Sequence, residues 1–240
     1  MLVLPQLDAH SVEFPPIEQA LDDPNGLLAF GGDLRPERIL AAYRRGIFPW
    51  YQEGEPILWW SPQPRAVLFP ERIHISRSLR RVLRRREFEI SMDRCFADVM
   101  RECGAPTENR PRTWITNAMR RAYGELHRLG HAHSIEAWQD GALVGGMYGI
   151  ALGRVFFGES MFSRVANASK VALVHLCGQL RQWGFAVIDC QVSSNHLRTM
   201  GACEIRRAEF QQLLELYGDR SLSINGQPWQ LSWQWTEHER

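Results

Sequence analysis

Two polar side chains, Asp189 and Gln191, interrupt the otherwise apolar run Phe185–Val192, FAVIDCQV. A strand turns alternate side chains to the same face, so this carboxylate and this amide point the same way. Earlier in the chain, Gly145–Ser163, GGMYGIALGRVFFGESMFS, is crowded with apolar bulk and holds a single carboxylate, Glu159. Acyl transfer of a greasy group needs that combination: bulk to hold the group and a few polar atoms to steer one proton.

The elements that must position these residues are legible in outline. His133–Gln139 and Leu143–Ile150 read as strands paired around Asp140-Gly141, a strong hairpin signal. A further strand, Arg154–Glu159, returns through the turn at Gly153, with a Gly-Glu-Ser-Met turn following it. Ala168–Trp183 reads as a helix capped by Asn167 and stopped by Gly184, and Phe185–Val192 as a strand buried on both faces. Helices are expected at Arg94–Cys103, Asn117–Leu129, Asn195–Met200 and Ala208–Tyr217, with strands at Ala66–Phe69, Phe88–Met92 and after Gly201. The loop Gly104–Arg112 is polar and proline-bearing, hence expected to be mobile.

Residues 14–64 have another texture, rich in proline, glycine and aromatics, with one helix from about Pro36 to Arg45. Asp33 is its expected N-cap and Gly46 its stop. The prolines of Ser61-Pro62-Gln63-Pro64 suggest a boundary, giving a small N-terminal domain over 1–64 and a larger one over 65–240. The expected class is α+β around a mixed sheet. The tail bearing Trp229, Trp233 and Trp235 is expected to pack back as an edge strand.

Composition bounds the function. At 240 residues, with 45% hydrophobic and 23% charged residues, the chain can bury a real core and disorder is not the default. No basic leader and no long apolar run is visible, so neither a signal peptide nor a membrane span is expected. Five cysteines, none spaced as CxxC, suggest reduced thiols in a cytoplasmic protein, with Cys190 a small buried hydrophobe. His131 and His133 form an HxH without a third ligand pattern, so no metal is expected. The net charge of +1 argues for no partner, but its distribution is uneven. Arg77, Arg80, Arg81, Arg84, Arg85 and Arg86 crowd one helix whose apolar stripe is Ile75, Leu79, Val82 and Leu83. That face is either solvated or a contact for nucleic-acid phosphates, which guanidinium forks suit.

Eight collinear motifs, PNGLLAFGGDL, RRGIFPWY, ILWWSP, HAHSIEAW, GGMYGIALG, FGESMFSR, NASKVAL and IDCQV, resemble the leucyl/phenylalanyl-tRNA–protein transferase family. The resemblance runs from about Phe14 to Tyr217. It implies cytoplasmic chemistry that needs no cofactor, neither ATP nor CoA. Leu or Phe, and less well Met, passes from charged tRNA to proteins beginning with Arg or Lys, marking them for degradation. It also implies a GNAT-like C-terminal domain acting as a monomer.

By resemblance, Asp189 and Gln191 are catalytic, with Gln191 contacting the attacking amine and Asp189 orienting or polarising Gln191. Met147, Phe156, Met161, Leu173, Leu176 and Ile188 line the aminoacyl pocket, where Glu159 holds either the substrate's ammonium or the acceptor's cation. Trp50, Tyr43, Tyr123 and, less strongly, Trp114 meet the 3′-terminal adenosine. Arg80, Arg81, Arg84 and Arg85 then read as contacts to tRNA phosphates. Two rivals remain: an acetyl-CoA acetyltransferase, disfavoured because SRVANASKVA carries no glycine where a pyrophosphate loop would sit, and a non-catalytic tRNA-binding module. A peptidoglycan aminoacyltransferase would share the fold and donor but matches the motifs less well.

Overall fold

The computed structural model describes residues 4–106, 112–219 and 229–237. In chain order its elements are β1 (Gln6–Leu7), β2 (Leu27–Gly31), α1 (Pro36–Arg44), β3 (Phe48–Pro49), β4 (Leu58–Trp60), β5 (Arg65–Leu68), α2 (Arg77–Arg85), β6 (Glu89–Met92) and α3 (Phe96–Cys103). There follow α4 (Asn117–Arg128), β7 (Ala132–Gln139), β8 (Ala142–Leu152), β9 (Val155–Ser163), α5 (Ala168–Gln182), β10 (Val187–Gln191), α6 (Asn195–Thr199), β11 (Cys203–Ile205) and α7 (Arg207–Tyr217). The expected α+β architecture is the one formed. A four-stranded sheet, β1-β2-β4-β3, accompanies a mixed seven-stranded sheet, β11-β5-β10-β9-β8-β7-β6.

The strands alternate as their sequences require, burying one apolar cluster on each face of the large sheet. One face packs α3, α4 and α1 around Tyr43, Tyr123, Tyr148 and Phe157, and continues into the small sheet through Leu28, Ile39 and Trp59. The other packs α2 and α5 around Leu68, Leu79, Leu83, Leu173 and Leu176. β10 runs parallel to β9, but their pairing ends at Phe157↔Asp189. Beyond that point the two strands carry Glu159 and Gln191, at the mouth of a fork.

Four local expectations are corrected or refined. The Gly-Glu-Ser-Met segment is not a turn, because β9 continues to Ser163, paired with β8 around a bulge at Tyr148/Gly149. Residues of low strand propensity extend the strand here because a whole partner strand is available to pair with them. Asn167 is the N-cap residue of α5 as expected, but at a left-handed φ of 70° its side chain makes no capping bond, and Arg35 rather than Asp33 is the N-cap residue of α1. Asp33 instead accepts from the Arg35 backbone N–H at 2.9 Å. The tryptophan tail forms no strand among the described residues. It packs Trp229 and Trp235 into the core against Trp183 and Phe185, and Gln179 Oε1 accepts from Ser232 N at 2.7 Å and Trp233 N at 2.8 Å. Of the loop expected to be mobile, residues 107–111 lie outside the described residues.

Candidate active site

Asp189 is fully buried on β10, and a buried carboxylate needs partners. Arg65 on β5 supplies them as a two-pronged ion pair, Nε donating to Oδ1 at 2.8 Å and an Nη to Oδ2 at 2.6 Å. Oδ1 also accepts the backbone N–H of Gln191 at 2.9 Å. Gln191 carries a positive φ of 61°, and the β10–β5 register slips there. Asp189 therefore holds the Gln191 backbone in a bulge and meets that residue through its main chain.

The side chain of Gln191 is held by Glu159 instead. Its Nε2 donates to Glu159 Oε1 at 2.8 Å, which leaves the amide oxygen for a donor in the cleft. Beneath, Tyr43 OH donates to the same Oε1 at 2.5 Å, and Tyr123 OH to Oε2 at 3.1 Å. The two hydroxyls are themselves 2.6 Å apart. Two phenolic protons thus serve three oxygen–oxygen contacts, and the contact between the hydroxyls gains a donor only when Glu159 takes up a proton and gives it to one of the tyrosines. The energetics agree: burial pushes the Glu159 carboxyl up to about 7, against the opposing hydrogen bonds and with the charge of Asp189 adding to it. Burial beside Glu159 likewise holds both tyrosines well above the ordinary phenol range. A carboxyl titrating near neutrality at the head of a cleft can take and return a proton.

Two connected hollows meet at Glu159. The smaller, of about 200 Å³, is lined by five of the expected pocket residues: Met147, Glu159, Met161, Leu173 and Ile188. Phe156 and Leu176 do not reach it; both are buried in the cluster behind. Cys190, His196 and Leu197 join the lining, so Cys190 is half-buried at the pocket rather than enclosed in the core. The Nε2 of His196 is sealed from solvent without a hydrogen-bond partner among the described residues. These additions follow from the fork and α6, which bring together residues that one strand pattern cannot relate.

The larger hollow, of about 730 Å³, is lined by Trp50, Trp114, Glu159, Gln191, Arg198 and Glu204, among others. Trp50 is 46% exposed and leans edge-on against Trp60, whose Nε1 donates to the Trp50 carbonyl. Trp50 and Trp114 thus face open space, while Tyr43 and Tyr123 are sealed and reach the cleft only through Glu159. Arg80, Arg81, Arg84 and Arg85 line neither hollow. They lie on α2, with Arg84 paired to Glu237 and Arg85 to Glu87 at exposed sites.

The chain gives two places to look for a bound group. At the start of α5, the Ala168 N–H is given to Val165 O and the Ser169 N–H to Ser163 Oγ, so the amides that would cradle a pyrophosphate are engaged. Asp93, His127 and His133 offer ligand-type atoms within 4.8 Å of one another. Their facing nitrogens are occupied too: His133 Nδ1 lies 2.7 Å from Asp93 Oδ2, and His127 Nδ1 lies 2.8 Å from the Ala132 carbonyl. Hydrogen bonding accounts for that cluster.

Residues 67–215 match the family model of leucyl/phenylalanyl-tRNA protein transferase, and residues 32–63 match the model of its N-terminal domain. The chain belongs to this family. It is similar to the leucyl/phenylalanyl-tRNA–protein transferase of Azoarcus sp., at 64% identity over 82% of this chain and 84% of that protein. The transferases of Cellvibrio japonicus, at 57% over 88% and 90%, and Saccharophagus degradans, at 52% over 95% and 94%, agree. Among solved structures, L-PGS from Bacillus licheniformis aligns with a TM-score of 0.38 at 14% identity, over 66% of this chain and 51% of that one. The family's activity is transfer of a leucyl or phenylalanyl group from aminoacyl-tRNA to an acceptor protein, and the family resemblance carried by the eight motifs holds. No helix among the described residues is long and apolar enough to cross a membrane.

Proposed function

We propose that this chain moves Leu or Phe, and less well Met, from its charged tRNA onto proteins beginning with Arg or Lys, with Glu159 as proton acceptor. The observation that carries the mechanism is the Gln191–Glu159 contact at the head of the apolar pocket. The aminoacyl side chain occupies the smaller hollow, where Met147 and Met161 can repack around either a branched or a planar group. One methylene in such a pocket is worth only ~1–3 kcal/mol, which is why Met is admitted at a lower rate.

The 3′ end of the tRNA enters the larger hollow, with the terminal adenine stacked on Trp50. Such stacking is worth ~1–3 kcal/mol and ignores base sequence, suiting an end common to all tRNAs. The acceptor's neutral α-amine donates an N–H to the Gln191 amide oxygen and attacks the ester carbonyl. A C–N bond forms, the C–O bond to the ribose breaks, and the ammonium proton passes to Glu159 and then to the departing ribose oxygen. Asp189 and Arg65 act by fixing Gln191. Ester aminolysis is downhill, so the chain's own residues need only position the amine and carry this proton. In this reading the protein works in the cytoplasm as a monomer, marks acceptors for degradation, and uses the arginines of α2 against tRNA phosphates.

The test mixes purified protein, leucyl-tRNA and a peptide beginning with arginine, without ATP or CoA, and reads the peptide's mass. A gain of one leucine residue, absent for a peptide beginning with glutamate, is expected. No gain from protein that still binds tRNA would sink the proposal in favour of a binding module.

A further inference from the structure

Glu159 cannot both manage the proton and receive the acceptor's cationic side chain. It is 9% exposed and already holds Tyr43, Tyr123 and Gln191. A guanidinium or ammonium head needs a carboxylate that is open to solvent and set away from the reacting amine.

The sheet register supplies one. Ala66 of β5 pairs with Gln191 of β10 on one side and with Glu204 of β11 on the other. Gln191, Ala66 and Glu204 therefore form a row across three neighbouring strands, and both polar ends of the row line the larger hollow. Two inter-strand spacings separate the ends by roughly 10 Å. An extended Lys or Arg side chain, six bonds from α-nitrogen to charged head, spans roughly 7 Å. The side chain is thus of the same order as the row, whose ends are side chains that can lean toward it. Glu204 is exposed and makes no ion pair among the described residues, including with Arg198 in the same hollow.

We propose that Glu204 receives the cationic side chain of the acceptor's first residue while Gln191 holds its α-amine. The inference rests on the acceptor class given under Proposed function and names the residue that selects it. Because the carboxylate is solvated and faces the head from one side only, it accepts ammonium and guanidinium alike and repels an N-terminal Asp or Glu.

The test compares two peptides that differ only at the first residue, arginine or its neutral isostere citrulline, with leucyl-tRNA saturating. The wild type is expected to favour arginine at least tenfold in kcat/KM, mainly through KM. Glu204→Gln should bring that ratio to about one, and Glu204→Lys should invert it. If the wild type discriminates and both variants keep its ratio, Glu204 is not the receptor. If the wild type shows no preference for arginine, the cationic acceptor class itself falls and this inference falls with it.

Discussion

At Glu159, burial favours the neutral acid while three donors favour the carboxylate, and the outcome is a group titrating at about 7. Its ordinary value is near 4.5, so between those limits the folded protein binds a proton the unfolded chain has released. Stability from this group is fully present below about 4.5 and lost as pH rises through about 7, by roughly 3 kcal/mol in all. Glu159→Gln should flatten that slope in urea melts taken from pH 5 to 8. The same substitution should lower kcat by roughly 10²–10⁴ and abolish the rise in rate through pH 7; a full-speed Glu159→Gln enzyme would remove Glu159 from the proton path. Arg65→Met leaves Asp189 buried and unpaired, and a loss of roughly 3–5 kcal/mol in stability is expected by chemical denaturation. Adding Asp189→Leu should recover most of it. The period-two spacing of Asp189 and Gln191 is legible in the sequence, but their partners are not. Arg65 lies 124 positions from Asp189, and Tyr43 lies 116 from Glu159, separations for which no local pattern exists. The contact through which Asp189 meets Gln191 is not legible for that reason: the strand pattern gives a shared face, whereas a left-handed bulge at Gln191 decides which group touches which.

Among the elements, helices and hairpins are legible because their signals are local: Ser76 and Thr116, for instance, cap α2 and α4 by accepting the Leu79 and Met119 backbone N–H groups. The extent of β9 is not, because its last four residues are held by β8 rather than by their own propensity. Gly149 sits beside the bulge, and a Cβ there would meet the Phe157 carbonyl at 2.2 Å and the Phe156 ring at 2.6 Å. Gly149→Ala should therefore cost roughly 1–3 kcal/mol or more by overpacking, read as a lowered Tm. An unchanged Tm would mean that the bulge shifts freely. On the opposite face, α2 buries Leu79 and Leu83 and leaves Arg81, Arg84 and Arg85 exposed. Exposed ion pairs such as Arg84–Glu237 and Arg85–Glu87 contribute little and exchange readily for phosphate. Changing Arg80, Arg84 and Arg85 together to alanine should weaken tRNA binding and reduce its log–log salt dependence by roughly one unit for each phosphate no longer neutralised. A salt slope equal to that of the wild type would return this helix to a solvated face.

At the scale of the whole molecule, the texture change at residue 64 separates two sheets, yet one apolar cluster joins them. Leu28, Ile39 and Trp59 of the first part pack in the same core as Val67, Tyr123 and Phe157 of the second. The polar machinery crosses the same line. Tyr43 of α1 donates to Glu159, and an Arg65 Nη donates to the Gly46 carbonyl at 3.0 Å beside Phe48. Residues 1–64 therefore have too little private core to persist once undocked, and Glu159 loses a donor the moment they leave. We expect equilibrium unfolding to be a single transition, with far-UV circular dichroism, tryptophan fluorescence and leucyl transfer vanishing at the same denaturant concentration. Transfer that disappears at a lower concentration than the circular dichroism signal would instead make residues 1–64 a separately folding unit, docked on the larger one by a weaker interface.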